Sequence, residues 1–318
     1  MSYQVVGQST PRSDNTGKVT GDARYTSDVL LPGTLWAKCL RSPYAHARIV
    51  RLDTSRAEKA PGVRAVLTGN DVRGILYGRR YRDISVLAQE SVRFMGERVA
   101  AIAADTLEQA ERALELIDVQ YEELPAVFDP VAAAQDGAPL IHPNVNSYKG
   151  LPKQFDRPTN AFVQDVFTRG DVAAGFAQAD VIVENTYTVP RVHQAFLEPH
   201  CCLVWIDEHE RIQMWSPCKV PQGLKESMSQ AFNLAKDKIR VNPGAIGGDF
   251  GGKGAPIDEP ICYLLALRSG RPVKMVMEYR EEFIAGAPRH AGVMRLKTGV
   301  KRDGTIVARK MRALHASG

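Results

Sequence analysis

The 318-residue sequence predicts an α+β fold in two successive domains. Three observations carry this reading. A buried apolar run over 97–104 passes directly into an amphipathic helical pattern and then into a short strand, Val119–Tyr121. A hairpin pattern, Leu203–Ile206 and Arg211–Trp215 around Asp207-Glu-His-Glu210, opens a later stretch in which strands and helices mix again. Between the two, residues 136–170 lose all periodicity.

The elements follow in order. Leu35–Leu40 and Ala47–Leu52 alternate in part and read as strands on either side of the polar corner Arg41-Ser-Pro-Tyr-Ala-His46. Pro61-Gly62 turns the chain into a short buried strand, Val63–Leu67. The helix over 105–117 starts with a capping box, Thr106 and Gln109, and gathers Leu107, Ala110, Leu114 and Ile117 on one face. Residues 136–165, with Pro139, Pro143, Pro152, Pro158, Gly137 and Gly150, read as an ordered linker in which Ile141, Phe155 and Phe162 pack. A short helix capped by Asp171 and a strand, Val181–Val189, open the second domain. After the hairpin come an amphipathic helix over 224–235 and a strand, Ile239–Val241. A buried helix, Glu259–Leu267, closes at Gly270, and a strand runs from Arg271 to Met277. Strands over 293–300 and 305–314 flank the turn Arg302-Asp-Gly304. The chain stops soon after, at Gly318, so the second domain is expected to be incomplete within it.

Composition narrows the function classes. Hydrophobic content of 44% and charged content of 24% are those of a soluble globular protein with a sizeable core. The formal charge of +5 is spread along the chain, so nucleic acid is not the expected partner. The densest basic groups, Arg79-Arg80-Tyr-Arg82 and Lys301-Arg302, read as solvated loops. No apolar run is long enough for a membrane span. The start, Met-Ser-Tyr-Gln-Val-Val, lacks the basic and apolar regions of a signal peptide. Cys39, Cys201, Cys202, Cys218 and Cys262 form no Cys-x-x-Cys pair, which argues against a disulfide framework, a zinc site or an iron–sulfur site and favours a cytoplasmic location.

The stretch Gly244–Gly254 concentrates the information. Six of its eleven residues are glycine, with Phe250 and Lys253 among them. Such density marks a close approach of backbone to another group, or backbone angles that other residues avoid. Gly247-x-x-x-x-Gly252-Lys253 follows the phosphate-loop pattern up to its last position. There a magnesium-binding Ser or Thr is required and Gly254 stands instead.

Other constellations are weaker. Ser216-Pro-Cys-Lys219, Ser13-Asp-Asn15 and Lys297-Thr-Gly299 match the motifs of penicillin-recognising enzymes, but in the wrong order, and Pro221 and Gly223 interrupt the helix that Ser216 should open. His193, Glu198 and His200 have a spacing compatible with a metal cluster, against the plainer reading of a turn whose polar groups hydrogen-bond locally.

Taken together, the segments resemble one family, the molybdenum-binding large subunits of the xanthine oxidase, aldehyde oxidase and carbon monoxide dehydrogenase superfamily. The resemblance runs through Gly21–Asp28, Arg41–Ile49, Pro61–Val66, Val92–Ala100, Tyr121–Pro125, Glu198–His200, Gly247–Lys253, Gly270–Val273 and Arg289-His290. It implies an α/β-hammerhead domain over residues 1–135, the linker over 136–165, and the first part of a molybdopterin-binding domain over 166–318. It implies a molybdenum ion on a pterin, often extended by cytosine dinucleotide in bacteria, without protein ligands to the metal.

Residue by residue, the resemblance sets Phe250 beside the cofactor, with Gly248, Gly251 and Gly252 passing near the pterin. Asp249 replaces the commoner glycine, and its carboxylate is expected to turn away and cap a neighbouring N–H. Lys219 stands where the family usually has a glutamine that hydrogen-bonds the metal's oxo ligand. Its ammonium still offers donors to an oxo or pterin oxygen. Gly254 occupies the position of a substrate-binding glutamate in purine-oxidising members, which argues against a purine. The catalytic glutamate base of the family lies beyond Gly318. The resemblance therefore implies a second chain completing the molybdenum subunit, partner subunits carrying 2Fe-2S and FAD, and a dimer of such heteromers. The reaction would be the water-dependent hydroxylation of an aldehyde, an aromatic heterocycle or a similar small molecule. The alternative is a non-catalytic half that holds cofactor or assists assembly.

Overall fold

The computed structural model describes residues 3–316. Strands β1 (Leu35–Arg41), β2 (Ala47–Asp53), β3 (Val63–Thr68), β4 (Leu76–Tyr77), β5 (Ile84–Ser85), β6 (Ser91–Val92), β7 (Arg98–Ala104) and β8 (Asp118–Glu123) come from the first part of the chain. Helices α1 (Asn15–Thr20), α2 (Ser55–Glu58), α3 (Leu107–Leu114) and α4 (Pro130–Ala133) accompany them. The second part supplies α5 (Val172–Ala177), β9 (Val181–Val189), β10 (Cys201–Ile206), β11 (Ile212–Trp215), α6 (Pro221–Phe232), β12 (Ile239–Asn242), α7 (Glu259–Ser269), β13 (Val273–Val276), α8 (Tyr279–Ala285), β14 (Gly292–Val300) and β15 (Ile306–His315).

One seven-stranded sheet joins the two parts, in the order β12-β11-β10-β13-β1-β7-β3. The junction is the parallel pairing of β1 with β13, Leu35 opposite Val273. β7 explains why the sheet is central: its sequence, Arg-Val-Ala-Ala-Ile-Ala-Ala, is buried at every position. Strand alternation sends Ala101 and Ala103 to the face packed by Ile261 and Leu265 of α7. Ile102 points to the opposite face, against Ala57 of α2 and Ala113 of α3. Alanines on both sides of Ile102 let helices approach the sheet from each face, and burying an isoleucine side chain contributes about 1.5–3 kcal/mol.

α7 is apolar around most of its circumference because it lies in this core. Proline opens it, and Gly270, with φ of 65°, ends it in the left-handed conformation. Charged groups are buried along the seam in pairs. Lys38 Nζ and Arg41 Nε of β1 reach Glu281 of α8 at 2.6 and 2.9 Å. Arg98 of β7 reaches Asp258 at 3.2 Å, and Tyr77 Oη donates to Ile257 O at 3.1 Å. The chain just after the glycine-rich stretch is thus tied to the first part of the fold.

β9, β14 and β15 form a separate sheet, in which every residue of β9 is exposed. β2, β6 and β8 form a third sheet. Two expectations shift. The helix expected from Leu224 begins at Pro221, because proline is favoured in a first turn, and stops at Asn233 with φ of 52°. α8 has no clear signal in the sequence; it rests on a capping box between Glu278 and Glu281.

Residues 136–165 contain no strand or α-helix but are extensively hydrogen-bonded. Asn160 donates to Ala133 O and Pro139 O and accepts from Ile141 N–H at 2.9 Å. Asn146 exchanges two hydrogen bonds with the backbone of Phe155. Tyr148 stacks on Phe162, and His142 meets Phe162 edge-on.

Candidate functional site

The glycine-rich stretch leaves β12 and crosses the fold on a foundation of charged residues. Lys253 points inward beneath the loop, with its Nζ 2.8 Å from Glu198 Oε2 and 4.6 Å from the centre of the Phe196 ring. The same carboxylate oxygen accepts the Gly247 N–H at 2.8 Å, and Glu198 N–H donates to Gly247 O at 3.1 Å. Glu198 thus holds both ends of the loop, one through backbone and one through an ammonium. The aromatic face beneath Lys253 adds further compensation for burying the charge.

Two glycines take angles that a side chain avoids, Gly248 with φ of 103° and Gly251 with φ of 102°. Between them Phe250 itself adopts a φ of 42°, an uncommon angle for a residue with a Cβ. Asp249 holds this turn. Its Oδ1 accepts from Lys253 N–H at 2.6 Å, and its Oδ2 accepts from Gly251 N–H at 3.1 Å. Oδ2 also takes a hydrogen bond from Lys219 Nζ at 2.8 Å. Burial works to raise the Asp249 carboxyl, but the Lys219 ammonium and the two amides hold it below its usual value. The amide cap expected for Asp249 is present, joined by an ion pair to Lys219 that local sequence does not reveal.

The close approach implied by so many glycines is made largely to the chain's own 194–198 turn. A Cβ on Gly247 would stand 2.5 Å from Glu198 Cβ, and one on Gly248 would stand 2.8 Å from Phe196 Cβ. A Cβ on Gly252 would meet Phe196 at 2.9 Å and Gln194 at 3.2 Å. Gly251 differs: its nearest such neighbour is Arg289 Nη2, at 3.8 Å. The loop therefore has a packed underside and an open face at Phe250 and Gly251. Phe250 is 65% exposed, and its backbone carbonyl accepts from Arg289 Nη2 at 3.1 Å. Nearby, the buried Gln194 Oε1 lacks a hydrogen-bond partner.

The histidines follow the plainer sequence reading in part. Among the described residues no group of His, Cys, Asp and Glu side chains would hold a metal ion. His193 and His200 share the fully buried Glu282 of α8, at 3.3 and 2.7 Å, and Glu198 is committed to Lys253. The contacts to Glu282 reach across the fold, while His193 Nδ1 accepts the Ala195 N–H at 3.0 Å within the turn. Burial works to raise the Glu282 carboxyl, but its bonds to His200 and His193 bring it below its usual value. Ser216 donates to Glu259 at 2.6 Å while Lys219 pairs with Asp249, so the Ser-x-x-Lys match has no catalytic geometry.

Arg79 is exposed in a loop, as the sequence reading expected. It also lies beside Gly254, which that reading did not foresee: a Cβ on Gly254 would stand 3.6 Å from Arg79 Nη1 and 3.3 Å from Lys219 Cε. The loop is held there by Arg82, which donates to Gln230 of α6 at 3.0 Å. No local signal in Arg79-Arg80-Tyr-Arg82 points to this contact, because it depends on tertiary packing alone.

Comparison with known proteins assigns these segments. Residues 20–125 match the model of the aldehyde oxidase and xanthine dehydrogenase a/b hammerhead domain, and residues 154–318 match that of the molybdopterin cofactor-binding domain. The chain is 35% identical over 308 residues to a probable xanthine dehydrogenase subunit of Bacillus subtilis, covering 96% of this chain and 40% of that protein. It is 32% identical to the nicotinate dehydrogenase large molybdopterin subunit of Eubacterium barkeri, covering 96% of this chain and 69% of that subunit. The fold superimposes on reconstituted CO dehydrogenase from Oligotropha carboxidovorans with a TM-score of 0.87 at 29% identity, covering 96% of this chain and 39% of that one. The chain thus spans well under half the length of several relatives it matches. With both domain models matched in order and the fold shared, the chain belongs to the aldehyde oxidase and xanthine dehydrogenase family and carries its hammerhead and molybdopterin cofactor-binding domains.

Proposed function

We propose that this chain supplies the cofactor-holding part of a molybdenum hydroxylase that oxidises an aldehyde, an aromatic heterocycle or a similar small molecule with water. The observation that carries the reading is the two-sided loop: its underside is fixed by the buried Lys253–Glu198 pair, and its open face presents Phe250 and Gly251. A flat heterocyclic cofactor fits that open face, because a Cβ is missing at Gly251 where space is free. Phe250 and Gly251 form the holding surface, Gly248, Asp249 and Gly252 shape the turn that presents it, and Lys219 donates from its side. The molybdenum–pterin group, in its plain or cytosine dinucleotide form, supplies the two-electron redox chemistry when bound.

The protein's own contribution is positional. Asp249 fixes the turn through two amides and neutralises one side of the Lys219 ammonium, which keeps two further N–H donors for a ligand oxygen. The base that activates water comes from a second chain or a further segment, and electrons leave through partner subunits bearing 2Fe-2S and FAD. A cytoplasmic dimer of such heteromers completes the assembly. Among the described residues no helix is long and apolar enough to cross a membrane, and the five cysteines are free thiols, as a reducing compartment favours.

A second reading, a half that holds cofactor or assists assembly without chemistry, is favoured by one observation: the Lys219 ammonium is engaged by Asp249. Metal and pterin analysis of the protein purified with its partners separates the outcomes. One molybdenum and one pterin per chain, with turnover of an aldehyde or heterocycle, supports the enzyme. Cofactor without turnover supports the second reading, and an intact complex devoid of both contradicts the proposal.

A further inference from the structure

We infer that Arg79 and Lys219 form an oxyanion notch at Gly254, and that the substrate of this site carries a carboxylate. The inference rests on the proposed function and names its substrate class. Two cations from opposite parts of the chain converge on one glycine: its Cβ position lies 3.3 Å from Lys219 Cε and 3.6 Å from Arg79 Nη1. Lys219 has a carboxylate partner, Asp249, at 2.8 Å. Among the described residues Arg79 forms neither a salt bridge nor a side-chain hydrogen bond. Two cations and one carboxylate leave a net positive charge, together with unused guanidinium and ammonium N–H groups.

Arg79 is exposed, and its place beside Gly254 is set by the backbone of its loop. After Arg79 the loop is pinned at Arg82, whose N–H donates to Lys149 O at 2.9 Å and whose side chain donates to Gln230 of α6 at 3.0 Å. Ser227 of the same helix donates to Gly78 O at 3.4 Å, one residue before Arg79. Gly254 has no positive φ, so its lack of a side chain is not required by its backbone angle. Its effect is to leave room between the two cations. A planar guanidinium beside an ammonium suits a carboxylate, since charge-assisted hydrogen bonds to both oxygens are then available.

The test uses the protein purified with its native partners and two probes of similar size, benzoate and benzamide, with molybdenum counted per chain in every sample. Benzoate is expected to bind more tightly than benzamide. Arg79→Ala should weaken benzoate roughly 10- to 100-fold, the range for losing a charged hydrogen bond, and leave benzamide unchanged. Gly254→Glu, which fills the notch with a carboxylate, should cause a similar selective loss, and Arg79→Lys should restore part of it. Equal binding of the two probes, or no effect of Arg79→Ala, overturns the inference. Loss of molybdenum in Arg79→Ala with benzoate binding intact also overturns it, by assigning the cations to the cofactor's phosphate. Selective benzoate binding in a complex that contains no molybdenum supports the notch while contradicting the proposed function.

Discussion

Lys253 Nζ and Glu198 Oε2 lie 2.8 Å apart beneath the glycine loop, and both side chains are almost fully removed from solvent. Fifty-five residues separate the two in sequence. Because Glu198 also accepts the Gly247 amide, the pair decides where the loop sits. Removing one partner strands a buried charge, so Lys253→Ala and Glu198→Ala should each lower stability by about 3–5 kcal/mol. The double variant Lys253→Met with Glu198→Leu should lose less than the sum. Urea unfolding of the three variants measures this, and full additivity would show that the pair is not coupled.

The Lys219–Asp249 pair is partly exposed to solvent and should behave differently. Its direct coupling in a double-mutant cycle is expected at or below about 1 kcal/mol. Asp249→Ala loses the two amide caps as well, and should destabilise more than Lys219→Gln. Acid reports the same arrangement. The folded carboxyl is held below its ordinary 3.8, so its contribution is complete above that value and is lost as pH falls through the folded value. Hydrogen exchange at the Gly251 and Lys253 amides should accelerate in that acid range in the wild type. In Asp249→Ala it should be fast at every pH.

Gly248 and Gly251 share nearly the same φ but not the same surroundings. Alanine at either meets backbone strain of about 1–2 kcal/mol. At Gly248 the added methyl also meets Phe196 Cβ at 2.8 Å, an overpacking that costs a further 1–3 kcal/mol or so. Thermal unfolding should therefore rank Gly248→Ala as the more destabilised. Cofactor retention should show Gly251→Ala impaired despite its milder stability loss, because its methyl enters the open face.

His142 makes the segment 136–165 sensitive to acid. Its ring bonds Tyr148 Oη at 2.7 Å and packs on Phe162, and burial lowers its pKa from 6.5 to about 4. The unfolded segment takes up a proton below 6.5 that the folded one refuses. The stability of this segment is therefore complete above that value and is lost as pH falls towards 4. Proton NMR of the His142 ring should titrate near 4, and His142→Phe should remove the acid loosening of residues 136–165 seen by hydrogen exchange.

Much of the architecture was legible because its signals are local. The capping box at Thr106, the glycine stop at Gly270 and the apolar run of β7 each depend on neighbours a few residues away. The joint seven-stranded sheet was not legible, since the pairing of Leu35 with Val273 leaves no pattern in either strand alone. The site divides in the same way. Phe250 and its glycines stand out in the sequence, and the cap by Asp249 follows from the chemistry of a short carboxylate in a turn. The partners Lys253–Glu198, Lys219–Asp249 and Arg79 at Gly254 required the fold, because each is brought together across tens of residues or more. His193 and His200 suggested a metal only while Glu282, the carboxylate they share, was out of view.

The most direct test of the account is a crystal structure of the protein purified with its partners, with anomalous diffraction recorded at the molybdenum edge. The account predicts one strong peak per chain on the open face of the loop, beside Phe250 and Gly251 and on the same side as Lys219. No peak in an intact complex, or a peak remote from this loop, would contradict it.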